Sequence, residues 1–255
     1  MTRWQQWLER PEKLFVQNVV FQVHLWIGAV ASAYILLMSI SGSAIVFRNE
    51  LSGNSVIEWL VRLHENLLAG TAGHFVNGIG GMCLTLLCLT GAMIWWPGTK
   101  HWRRSLTVDW SAHFARINWD LHSALGFWCF IFVLVWGISG IYFVFPQPFY
   151  SLLVFDPDDR FTDPGLFWLS RLHFGRFGWF IEGIWAALGL VPAILAFTGV
   201  FICCRRAIFK KPSTRLGGCC RFSQLTITFK VALAVSARTV RVRPLRFYAP
   251  FFRLT

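Results

Sequence analysis

Four long apolar runs, each closed by polar residues, divide the first 206 positions: 25–47, 75–96, 123–145 and 181–204. Each is long enough to cross a hydrocarbon core of roughly 30 Å, which takes about 20 apolar residues in a helix. None contains Asp, Lys or Arg, and Glu182, at the mouth of the fourth, is the only acid. A buried helix of a soluble domain would explain one such run but not four. The alternation predicts an all-α integral membrane protein with four transmembrane helices. Ala31-Ser32-Ala33 looks like a signal-peptide cleavage site. Apolar sequence continues past it to Phe47, so the first run is read as an uncleaved helix.

The runs are related in pairs. His24-Leu25-Trp26-Ile27-Gly28 leads to Ile40-Ser41-Gly42 and Phe47, and His122-Ser123-Ala124-Leu125-Gly126 leads to Ile138-Ser139-Gly140 and Phe145, at a constant offset of 98. Leu63-His64 leads to Leu89-Thr90-Gly91, and Leu172-His173 to Phe197-Thr198-Gly199. Self-similarity of this kind reads as duplication. Residues 1–206 are therefore expected to form one transmembrane domain built from two parallel two-helix repeats, about 24–97 and 122–206. A two-span repeat returns to its starting side, so the halves should relate by a pseudo-two-fold axis along the membrane normal.

Composition agrees with a membrane protein, at 55% hydrophobic, 17% aromatic and 14% charged residues. The positive-inside rule orients it. Lys100, Arg103, Arg104 and Arg116 lie between runs two and three, and Arg205, Arg206, Lys210 and Lys211 follow run four. Asp156, Asp158, Asp159 and Asp163 lie between runs three and four. Both termini and the middle loop are expected to be cytoplasmic. The net charge of +12 comes from the end of the chain, because residues 1–182 hold 12 basic and 12 acidic residues, and residues 183–255 hold 12 basic and none acidic. Residues 207–255 read as a basic cytoplasmic tail, disordered, lipid-associated or out of the native reading frame. A nucleic-acid partner is not expected. The seven cysteines include no C-x-x-C, so neither a zinc knuckle nor covalent haem attachment is indicated.

The duplicated histidines carry the chemistry. In this topology His24 and His122 open outward-running helices on the cytoplasmic side, and His64 and His173 precede inward-running helices on the outer side. The axis would set His24 opposite His122 and His64 opposite His173. Interfacial anchoring is the structural alternative for any one of them. Zinc would call for four clustered ligands, whereas two facing imidazoles in apolar surroundings suit haem iron, which takes two axial ligands. Gly28 and Gly126 lie one turn beyond their histidines, Gly42 and Gly140 five turns beyond, and Gly91 and Gly199 near the cytoplasmic ends of runs two and four. These six would either line a groove for a flat macrocycle or let helices pack closely. His74, His101 and His113 have no duplicate and read as loop or interface residues. Asp120 would cap a helix or orient the His122 ring. Arg171 and Arg176 would pair with haem propionates or snorkel to the surface.

The motifs resemble the PepSY-associated transmembrane helix family. They are the H-x-W-x-G opening, Ile-Ser-Gly ahead of Phe47-Arg48, Leu63-His64-Glu65-Asn66-Leu67-Leu68, Thr90-Gly91 with Trp95-Trp96-Pro97, Asn118-Trp119-Asp120-Leu121-His122-Ser123, and Leu172-His173-Phe174-Gly175-Arg176-Phe177-Gly178. The likeness covers about residues 15–206. It implies a bacterial inner-membrane protein linked to iron uptake, with haem-bearing members that resemble ferric-siderophore reductases. Larger members carry a periplasmic PepSY domain between the first two helices. Here residues 48–62 are too few for one. Together the residues and the resemblance lead to an expected two-haem b-type electron-transfer protein. It would take electrons from a cytoplasmic or quinol donor and reduce ferric siderophore iron in the periplasm, within the lipid bilayer. The other expectations are a haem-free scaffold or accessory subunit of an iron-uptake or transport system, and a transporter.

Overall fold

The computed structural model describes residues 15–51, 53–96, 102–153 and 164–209, and these fold as helices and short connections. In chain order they are α1 (Phe15–Ile45), α2 (Ser55–Asn66), α3 (Gly70–Trp95), a 3-10 turn (Trp102–Leu106), α4 (Phe114–Trp128), α5 (Phe130–Val144), α6 (Gln147–Leu153), α7 (Pro164–Phe174), α8 (Trp179–Gly189) and α9 (Val191–Phe209). The helices α1, α3 and the α8–α9 unit over Trp179–Arg206 are each long and apolar enough to cross a membrane. The bent pair α4–α5 makes a fourth span when taken as one. The protein is an all-α membrane protein. Its outward face is apolar, with Val30, Ile131 and Phe197 well exposed where lipid would cover them. The basic tail expected over 207–255 falls, from residue 210 on, outside the described residues, as does its reading frame.

The interior is built from small and hydroxyl side chains, because lipid tails leave no hydrophobic reason to bury leucine and tight packing takes over. Ser39, Ser41, Ser139, Thr90 and Thr198 are all buried. Helix α3 packs against α1 on one side and α5 on the other. Its approach to α5 depends on paired glycines. A Cβ on Gly81 would stand 3.2 Å from the Gly137 carbonyl oxygen, and one on Gly137 would stand 2.5 Å from Thr85 Oγ1.

Two spans are less regular than unbroken apolar runs predict. The third bends by 67° between Trp128 and Phe130. No proline or glycine sits at the break. Beside the break the Cys88 thiol of α3 donates to the Phe130 carbonyl at 3.4 Å. The fourth breaks at Leu190, two residues before Pro192, whose ring cannot coexist with a normal helical carbonyl four residues back. Ser39 of α1 repairs this break. Its hydroxyl donates to the Gly189 carbonyl and accepts from the Ala193 N–H at 3.0 Å. Ser39→Ala would leave two backbone groups unpaired in a water-poor interior. We expect it to cost about 1–3 kcal/mol, read as a lower unfolding temperature in detergent, whereas Ser32→Ala, which breaks only a bond to its own helix, should be near neutral.

Candidate paired-histidine site

Each of the four duplicated histidines is held through Nδ1 by a hydroxyl on another helix. His24 Nδ1 lies 2.9 Å from Thr90 Oγ1 and His122 Nδ1 lies 2.8 Å from Thr198 Oγ1. His64 Nδ1 lies 3.0 Å from Ser41 Oγ and His173 Nδ1 lies 2.6 Å from Ser139 Oγ. A hydroxyl has one proton, and in every case it is already directed to the carbonyl one turn back in its own helix. Thr90 donates to Leu86, Thr198 to Ile194, Ser41 to Leu37 and Ser139 to Val135. The oxygen must therefore accept, so the imidazole donates from Nδ1–H. The lone pair of each neutral ring is left on Nε2. This tautomer, fixed from behind, is what a metal-ligating histidine requires.

The rings are brought together in two layers. His24 and His122 have centroids 6.4 Å apart and planes at 83°. His64 lies close enough to His173 for its charge to oppose protonation of the His173 ring. Along α1 the 17 residues from His24 to Ser41 rise about 25 Å, so the layers are separated by nearly the thickness of a hydrocarbon core. Burial pushes the His64 imidazole down to about 4, with Arg48 acting in the same direction. Burial likewise pushes His173 down to about 3, helped by His64 and Arg48. Both stay neutral near pH 7. Because the folded values lie below the ordinary 6.5, this layer stabilises the fold fully above pH 6.5 and less as the pH falls through 4. The unfolding temperature of the purified protein should drop over that interval.

Backbone contacts set the two outer histidines in place. The last carbonyls of a helix have no partner within it. Here Asn77 Nδ2 donates to the His64 carbonyl at 2.6 Å, Trp185 Nε1 to Leu172 at 2.8 Å and Trp136 Nε1 to His173 at 3.3 Å. The Phe143 ring lies 5.0 Å from the His173 ring.

The glycines divide. A Cβ on Gly91 or Gly199 would stand 3.3 Å from Cε1 of His24 or His122, and one on Gly42 would stand 2.9 Å from Cε1 of His64. These three make room for the edge of an imidazole. Gly28 meets only Leu87, at 3.6 Å, and Gly126 and Gly140 face open space. We expect Gly199→Val to displace the His122 ring and Gly126→Ala to be tolerated, a contrast visible in any spectroscopic signal of the inner pair.

Asp120 does neither of the things expected of it. It lies in the second turn of α4, buried, with Arg116 Nε 2.9 Å and 3.0 Å from its two oxygens. Burial without a cation would be costly, and an arginine one turn back supplies it. His74 and His113 are exposed, and His74 Nδ1 lies 3.3 Å from the Glu65 carbonyl. His101 lies outside the described residues. Arg171 lies over Phe167 and Phe177. The hydroxyls Ser41, Thr90, Ser139 and Thr198 stand in the sequence as matched positions of the two halves, each directly before a glycine, but spacing alone assigns them no role. A serine or threonine recurring in an apolar helix was the available signal.

Among the described residues no group of three or more His, Cys, Asp or Glu side chains comes together. The arrangement defines a helical membrane protein with His24 and His122 brought ring to ring and each of the four imidazoles held by a hydroxyl of another helix. Residues 52–164, which include α2 to α5, match the PepSY-associated TM region. An uncharacterized protein of Pseudomonas aeruginosa is 31% identical over 87 residues, covering 33% of this chain and 21% of that protein. The matched part thus spans about a fifth of the relative's length. No solved structure matches the chain.

Proposed function

We propose that the chain is a two-haem, b-type electron-transfer protein of the bacterial inner membrane, spanning it four times with both termini in the cytoplasm. Its two halves act as parallel repeats. It carries electrons from a cytoplasmic or quinol donor to an outer acceptor, ferric iron held by a siderophore. The carrying observation is the inner pair. A metal bound between two imidazole nitrogens at about 2.0 Å each, with roughly 1.1 Å from nitrogen to ring centre, would hold the ring centres about 6.2 Å apart. The separation of His24 and His122 is 6.4 Å. Their Nδ1 bonds aim the lone pairs away from Thr90 and Thr198, and this supports His24 and His122 as the residues that would hold a haem iron.

His24 and His122 would hold one haem and His64 and His173 the other. Haem at each pair would supply reversible one-electron chemistry. The chain's own residues set a buried hydroxyl behind each ring, which orients the imidazole through Nδ1. The siderophore assignment rests on the family likeness rather than on the geometry. The test is a reduced-minus-oxidised spectrum of the purified protein with haem counted per chain. Two low-spin b-type components per chain are expected. A haem-replete preparation without any would leave a membrane scaffold as the reading.

A further inference from the structure

The connection after α7 brings a second feature to the outer layer. Gly175 adopts a φ of 66° and its N–H bonds to the Arg171 carbonyl at 3.0 Å, so the chain turns back where α7 ends. A left-handed backbone of this kind is readily available to glycine. Arg176 thereby folds onto the Phe174 ring, its guanidinium carbon 4.8 Å from the centroid. Arg48, from the connection that follows α1, reaches the same ring at 4.9 Å.

Two guanidiniums on one phenyl ring repel each other, and this is part of why the Arg48 pKa lies below its ordinary value, after burial itself. Glu65 is the acid close enough to offset Arg48. Among the described residues neither arginine forms a salt bridge. Among the described residues, one of the two guanidiniums is thus left without an acid beside it. It sits beside the outer pair, since the Phe174 ring is 5.2 Å from the His173 ring and Arg48 acts on both His64 and His173. A planar carboxylate would complete the charge balance and match the guanidinium fork.

We propose that Arg48 and Arg176, gathered on Phe174, form a carboxylate-binding clamp at the outer histidine pair. The carboxylate has two possible sources: a propionate of the tetrapyrrole at that pair, or a carboxylate of the iron chelate delivered there. The first source rests on the haem reading above, and the clamp itself does not.

The test uses the full-length protein in detergent, with Arg48→Gln, Arg176→Gln and the charge-keeping Arg48→Lys and Arg176→Lys. Citrate binding is measured by calorimetry and the haem components by potentiometric titration. Citrate binding weakened about 10-fold or more by either glutamine variant, with both haem components retained, assigns the clamp to the chelate. Loss of one haem component in the glutamine variants, with the other component unchanged, assigns it to the propionate. Lysine variants should fall between and guard against loss of folding. Wild-type citrate and haem behaviour in folded variants overturns the clamp. Should the protein hold no haem, the two-haem reading fails. Citrate then decides alone, and its failure to bind the wild-type protein overturns the clamp as well.

Discussion

His64→Ala and His173→Ala should each remove the same haem component, while His24→Ala and His122→Ala should each remove the other. A low-spin centre needs both axial nitrogens, and each pair is assembled from two different parts of the chain, so neither half of a pair can hold the site alone. The two layers are about 25 Å apart along α1, too far for one substitution to disturb both directly. Haem per chain should fall by about half in every single variant, with reduced-minus-oxidised spectra identifying which component remains. Loss of both components from a folded single variant would break the pairing, as would loss of neither. Double variants within a pair should look like either single one, and doubles across pairs should bind none.

Removing a supporting hydroxyl should be nearly as damaging as removing a ligand, and more informative. Ser139 is fully buried and bonds His173 at 2.6 Å. In Ser139→Ala the Nδ1–H loses its acceptor and the ring its tautomeric bias. Loss of such a partner typically lowers metal affinity about 10- to 100-fold. Thr198→Val keeps shape and volume at the inner pair while removing the acceptor for His122. Haem retention through repeated washing, measured against temperature, would show the weakened site. Thr198→Ser should rescue it, because the oxygen is restored. A purely structural role for Thr198 predicts the reverse, with valine tolerated and retention unchanged.

The helices and the ligand candidates were readable from the chain because their signals are local. Twenty apolar residues without a charge can scarcely be anything but a span, and α1, α3 and the α8–α9 unit appear where the runs lie. The recurrence of histidine before Gly-containing apolar runs marked His24, His64, His122 and His173 without any knowledge of packing. The Arg116–Asp120 pair was legible too, at one helical turn, but capping looked the better use for an aspartate so near a helix start.

What stayed hidden depends on contacts between distant segments. Ser41 is 23 residues from His64 and Thr90 is 66 from His24, so only packing of separate helices reveals that each hydroxyl serves an imidazole. The bend at Cys129 lies beside a thiol of α3, and the break near Pro192 is held by a serine on α1. Arg48 and Arg176 meet on Phe174 because one chain turn and one inter-helix approach coincide. Apolar length and residue spacing are properties of the chain, and they set the membrane class and the four histidines. Which nitrogen each histidine offers, and what stands beside it, are properties of neighbours that only folding supplies.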